Sequence, residues 1–187
     1  MKSNRDTVLT FMLLIAAAAL YRAMPDRIWG FAPHIAMAIF GGSVLKNRSL
    51  SFGLPVFSLF LSDLIYHVLY LNGLTPISGF YDGQWINYLL IGSLTLIGFF
   101  VKSNNPVQIG SAALLGPLAY FVMSNFTVWI SGGGLQRPRT FTGLMQCYGD
   151  GLPFLQTSVY GTLFFSALLF GGFYMIRQHV SHRAIAS

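Results

Sequence analysis

The chain has 187 residues, 54% hydrophobic and 9% charged, with mean hydropathy +0.61 and net charge +6. That composition excludes a soluble domain built around one buried helix and points to a single integral membrane domain. The positive charge is no nucleic-acid signature, because the cations sit near the ends of apolar segments, where they set topology and touch anionic lipid.

Six apolar segments follow one another at approximately 8–24, 33–45, 50–71, 85–101, 107–130 and 154–176. Each is expected to be helical, since a single span has no other way to satisfy its backbone in lipid. The fold class is therefore an all-α integral membrane protein, a compact bundle of six transmembrane helices. The first segment follows a polar, basic start and resembles a secretory signal. It is read as a retained helix because its apolar stretch runs on towards Met24 and five more spans follow. Ala16, Ala19 and Ala23 line one side of it, a small-residue face suited to close helix contact.

The second segment is short for a span. Pro33 suits its first turn, Lys46 and Arg48 can snorkel from its far end, and Gly41-Gly42 would bend it or admit another backbone. The third carries Asp63, its one formal charge at bilayer depth. An intramembrane carboxylate costs about 2.5–3.5 kcal/mol on insertion scales and is expected to face a partner, a cavity or a pathway. Tyr66, His67 and Tyr70 continue its helix face. Asn87 and Tyr88 open the fourth segment, Ser124, Asn125 and Thr127 lie towards the end of the fifth, and Ala167 and Gly171 form a small-residue pair in the sixth.

Topology follows from Lys and Arg. With the N-terminus inside, the inner segments hold Lys2, Arg5, Lys46, Arg48, Lys102, Arg177 and Arg183, and the outer ones hold Arg22, Arg27, Arg137 and Arg139. Seven against four places both termini in the cytoplasm. Trp29, Trp85 and Trp129 then fall at the outer face, with Asp26, Asp82 and Asp150. The inner connections are short. The outer ones, 25–32, 72–84 and 131–153, are long and rich in Gly and Pro, and long loops in a compact protein are often lids or binding loops. Within the last, 140–148 is apolar enough for a re-entrant or interfacial turn.

The residues expected to bind a small molecule near the outer face are Asp63, His67, Asn125, Trp129, Trp85, His34 and Arg139. Asp63 and His67 offer a titratable pair that could bind an amine, a hydroxyl or a metal, or equally fix one helix to another. Asn125 has the same two readings. Arg139 and Arg137 could grip a carboxylate or phosphate. His34 and His67, on neighbouring helices, could ligate a haem or metal, but no Cys-x-x-Cys-His or His-Glu-x-x-His supports it, and neither metal nor cofactor is expected. Lone Cys147 leaves no intrachain disulfide, and no thiolate cluster either. The chain has no Glu, no phosphate-binding Gly-rich loop with Lys and no Gly-x-Ser-x-Gly, so it is not expected to be an enzyme, and transport energy must come from a partner or a gradient.

Several stretches resemble an uncharacterised family of bacterial inner-membrane proteins described as transport proteins. They are Phe31-Ala-Pro-His-Ile-Ala-Met-Ala-Ile-Phe-Gly-Gly42, Leu54-Pro-Val-Phe-Ser-Leu-Phe-Leu-Ser-Asp-Leu64, Ser124-Asn-Phe-Thr-Val-Trp129, and a run from Arg139-Thr140 through Gly143-Leu144, Cys147-Tyr148 and Pro153-Phe154 to Gly161 and Gly171. That family is in turn similar to the substrate-binding S-components of energy-coupling-factor transporters. The resemblance implies six helices with both termini cytoplasmic, a vitamin- or metal-binding site near the outer face, and reliance on a transmembrane coupling subunit and two ATPases. Two departures stand out. Only Ala19 and Ala23 match the usual Ala-x-x-x-Ala contact of the first helix, and the chain starts Met1-Lys2-Ser3, without the N-terminal His of the nickel and cobalt members.

The expected function is a substrate-binding subunit for uptake of a small, vitamin-like or other polar or amphipathic solute, multi-pass in the bacterial inner membrane. The alternative is a non-catalytic accessory subunit of a larger membrane complex. Its partners would be the bilayer, a small-molecule substrate and other membrane subunits, not nucleic acid.

Overall fold

A computed structural model describes residues 16, 17, 20, 21, 24, 28, 30–76 and 78–185, with side chains as far as residue 178. The predicted first span lies for the most part outside the described residues. So do Asp26, Trp29, and the side chains of His179 and His182. The described residues are helical and contain no strand.

The first helix, α1, covers His34–Val44 and is followed by α2, Arg48–Leu71. The Asn47 side chain caps α2 by accepting from Leu50 N at 3.2 Å. After a long loop come α3, Gln84–Ser93, and the single turn α4, Thr95–Gly98. Asn105 caps α5, Pro106–Ser131, with Pro106 in the first turn, where its missing N–H is harmless. A short loop leads to α6, Phe141–Ile185, whose first turn is held by Thr140 Oγ1 accepting from Gly143 N.

Three helices are long and apolar enough to cross a membrane: Arg48–Leu71, Pro106–Ser131 and the Phe141–Gln178 part of α6. The other predicted spans differ from expectation. The second segment is only the 11 residues of α1, about 16 Å, half of a ~30 Å hydrocarbon core. Its residues His34 to Gly42 are all buried, so it is a central strut rather than a lipid-facing span. A helix with Ala36, Ala38, Gly41 and Gly42 is thin enough for the others to close around it.

The fourth segment is broken at Leu94. Amide hydrogen bonds from Leu94, Ile97, Phe100 and Val101 reach three residues back, so the chain tightens into 3₁₀-like turns. There its backbone presses on α1. A Cβ on Gly42 would collide with Thr95 O, and one on Gly98 with Ile39 O. Gly41-Gly42 thus marks a close backbone approach.

The sixth segment starts thirteen residues earlier than expected, at Phe141 rather than 154. Residues 141–153, read as loop with a re-entrant turn, form the opening turns of α6, with Pro153 inside the helix. Gly143, Cys147 and Gly151 recur every fourth residue and are buried, Cys147 and Gly151 against Asn125 of α5 and Gly143 against Pro138 of the preceding loop, and that packing outweighs the poor helix propensity of glycine. The whole of α6 is 45 residues, about 68 Å, well over the thickness of a bilayer core.

Candidate functional site

The N-terminal ends of α1 and α3, the second half of α5 and the middle of α6, with Leu59 of α2, line a half-open cavity of about 200 Å³. His34 enters from the first turn of α1, Asn87 from the first turn of α3, Tyr120, Ser124 and Asn125 from α5, and Ser158 from α6. Apolar and aromatic walls come from Ile35, Leu59, Ile91, Pro117, Phe121 and Phe154. No Lys, Arg, Asp or Glu lines it.

The polar groups are held by short bonds. Tyr120 OH donates to Asn87 Oδ1 at 2.6 Å, and Asn125 Nδ2 donates to Phe121 O at 2.9 Å, back along its own helix. The backbone at Asn125 is pinned by α6, where Cys147 Sγ donates to Asn125 O at 3.5 Å. Gly151 lies so near the Asn125 amide that a Cβ there would meet its oxygen. His34 is 3% exposed. The result is a small chamber offering hydrogen-bond donors and acceptors beside apolar walls, the usual make-up of a small-molecule pocket.

Asp63 is elsewhere. It is fully buried and accepts at Oδ2 from Gln84 Nε2 and from Tyr88 OH, the latter at 2.8 Å. Gln84 and Tyr88 are one turn apart on α3, so the carboxylate staples α3 to α2. It lies one turn beyond Leu59 of the cavity wall, without lining the cavity itself. His67 packs its ring edge-on to Phe80, centroids 5.5 Å apart, and its Nδ1 has no hydrogen-bond partner among the described residues. The loop bearing Phe80 comes down onto α2 at Gly79, where a Cβ would strike the Asp63 carbonyl oxygen.

A family model matches residues 2–184. The chain belongs to DUF6580, a family of unknown function. No curated protein matches it, and no solved structure does.

Of the seven residues expected at a site, the fold brings His34 and Asn125 to one cavity and leaves five outside it. Trp85 is 62% exposed on the outer side of α3. Trp129 Nε1 donates to Pro138 O at 2.9 Å, tying the 132–140 loop to the end of α5. Arg139 is exposed beside Gly132. Its neighbour Arg137 makes a two-pronged ion pair with Asp150, Nε to Oδ2 at 2.9 Å and Nη2 to Oδ1 at 3.0 Å, and that carboxylate holds the guanidinium above its already high range. Tyr120 and Ser158 carry no individual signal in the sequence, and Asn87 reads there as an interfacial anchor. His34 and His67 do not meet at the cavity, and no group of three His, Cys, Asp or Glu suited to a metal occurs among the described residues.

Proposed function

We propose that this protein is a substrate-binding membrane subunit for the uptake of a small polar or amphipathic solute, with the His34–Asn87–Tyr120–Asn125 cavity as its site. The cavity carries this proposal: six polar side chains and two phenyl rings converge there from four helices. A packing device needs no such chamber, since interhelical polar contacts close on each other as Asp63, Gln84 and Tyr88 do.

The cavity lies at the end of the bundle that holds the 72–83 and 132–140 loops, and we place that end outside. The Lys and Arg distribution supports both termini in the cytoplasm of a bacterial inner membrane. Residues 8–24 add a further span in this reading, and the likeness to S-components suggests a coupling subunit and ATPases as partners. Without a phosphate-binding loop of its own, the chain has to draw energy from such partners or from an ion gradient.

The test is native mass spectrometry of the protein purified from its own host, beside Asn125→Ala. A retained small molecule that the variant loses supports the proposal, as do co-purifying coupling and ATPase subunits. A stoichiometric complex with unrelated membrane subunits and no bound solute replaces it with the accessory-subunit reading.

A further inference from the structure

A second, larger recess of about 580 Å³ lies between α5 and α6 at the opposite end of the bundle. Its mouth is polar, with Ser103, Asn104 and Tyr174. Its depth is apolar, with Ile109, Ala113 and Phe170. Two glycines line it, Gly110 on α5 and Gly171 on α6, and a Cβ at either would meet nothing within 4 Å. Their small size therefore serves no contact among the described residues. The same wall holds the Ser166 hydroxyl, 2% exposed and without a hydrogen-bond partner among the described residues. The chain thus leaves the recess unfilled in both packing and polar pairing.

The recess runs along α6 from Leu163 to Tyr174, eleven helical steps or about 16 Å, and its apolar lining suits an alkyl chain. Charge selects the headgroup. Exposed Lys102 precedes Ser103 on one side of the mouth, and exposed Arg177 continues the Phe170–Tyr174 face one turn further on the other. Arg177 keeps its guanidinium 5.6 Å over the Phe173 ring. Cations flanking an interhelical groove are suited to an anionic lipid headgroup.

We propose that the α5–α6 groove binds an anionic phospholipid, its acyl chain over Gly110 and Gly171 and its phosphate between Lys102 and Arg177. The site is separate from the solute cavity and does not depend on transport.

The test is native mass spectrometry of the purified full chain after exchange into phosphatidylglycerol or phosphatidylcholine of matched acyl chains. Each cation is worth about fivefold in lipid affinity, so wild type should retain phosphatidylglycerol at least several-fold better. Lys102→Gln with Arg177→Gln should remove the preference but leave chain binding. Gly110→Leu, or Gly171→Leu should the first not fold, should fill the groove and remove retention of both lipids at unchanged thermal stability. Equal retention of the two lipids by wild type overturns the proposal. So does phosphatidylglycerol retention that survives the leucine variants, or a lipid-free dimer that those variants dissociate.

Discussion

The Tyr120 hydroxyl donates to Asn87 Oδ1 at 2.6 Å, joining α5 to α3 along one wall of the solute cavity. The bond fixes the orientation of the Asn87 amide, because only its oxygen can accept, and its nitrogen is left without a partner among the described residues. A pre-oriented donor is what a binding site for an uncharged solute needs. Tyr120→Phe should lower stability by about 1 kcal/mol and weaken solute retention. In thermal unfolding, Tyr120→Phe and Asn87→Ala should be less than additive. Strict additivity would show that the two side chains do not act together.

Asp63→Asn keeps the shape of the buried acceptor but not its charge. Both Gln84 and Tyr88 donate to one carboxylate oxygen, so the amide weakens two bonds, at a cost of about 1–3 kcal/mol. Because Asp63 does not line the cavity, retention of a bound solute should fall less than in Asn125→Ala. A larger loss of solute in Asp63→Asn, at equal stability, would move the site to α2.

The sequence made the long helices legible and the broken ones illegible, for a physical reason. Expected spans at 50–71 and 107–130 fall within two residues of α2 and α5, because apolar runs of that length bounded by Asn caps have one solution in lipid. The break at Leu94 and the early start of α6 depend on which backbone lies alongside. Gly42 against Thr95 decides one, and Cys147 and Gly151 against Asn125 of α5 the other. Site residues divide in the same way. His34 and Asn125 are conspicuous as polar groups in apolar runs. Tyr120 and Ser158 become partners only once α5 and α6 are paired. Asp63 is conspicuous too, yet its bonds run to Gln84 and Tyr88, so prominence in the sequence marked a strongly bonded residue without saying to what.

Trp129 governs the 132–140 loop. Its indole N–H reaches the Pro138 carbonyl, and Gly143 packs against that same carbonyl so closely that a Cβ would overlap it. The Arg137–Asp150 ion pair holds the other edge of the loop. Trp129→Phe and Asp150→Asn should each speed tryptic cleavage after Arg139, which is exposed on this loop. Trp129→Phe should also lower stability by about 1 kcal/mol. Cleavage at wild-type rate in both variants would show that the loop is held by other contacts.

Glycine-to-alanine substitutions should separate sharply by position. Gly42 and Gly98 face one another's backbones, and a Cβ at Gly42 would lie only 2.9 Å from Gly98 Cα besides striking Thr95 O. Backbone atoms cannot rotate away, so Gly42→Ala has to push α1 from α4, and overpacking of that kind costs about 1–3 kcal/mol. At Gly53 on α2 and Gly110 on α5, an alanine methyl would find nothing within 4 Å. There alanine gains helix propensity, worth up to about 1 kcal/mol. Thermal unfolding of the single variants should therefore give a lower midpoint for Gly42→Ala and an equal or higher one for Gly53→Ala and Gly110→Ala. A stable Gly42→Ala would mean that α1 is not clasped by the 95–98 turn, and the central position assigned to α1 would fall with it.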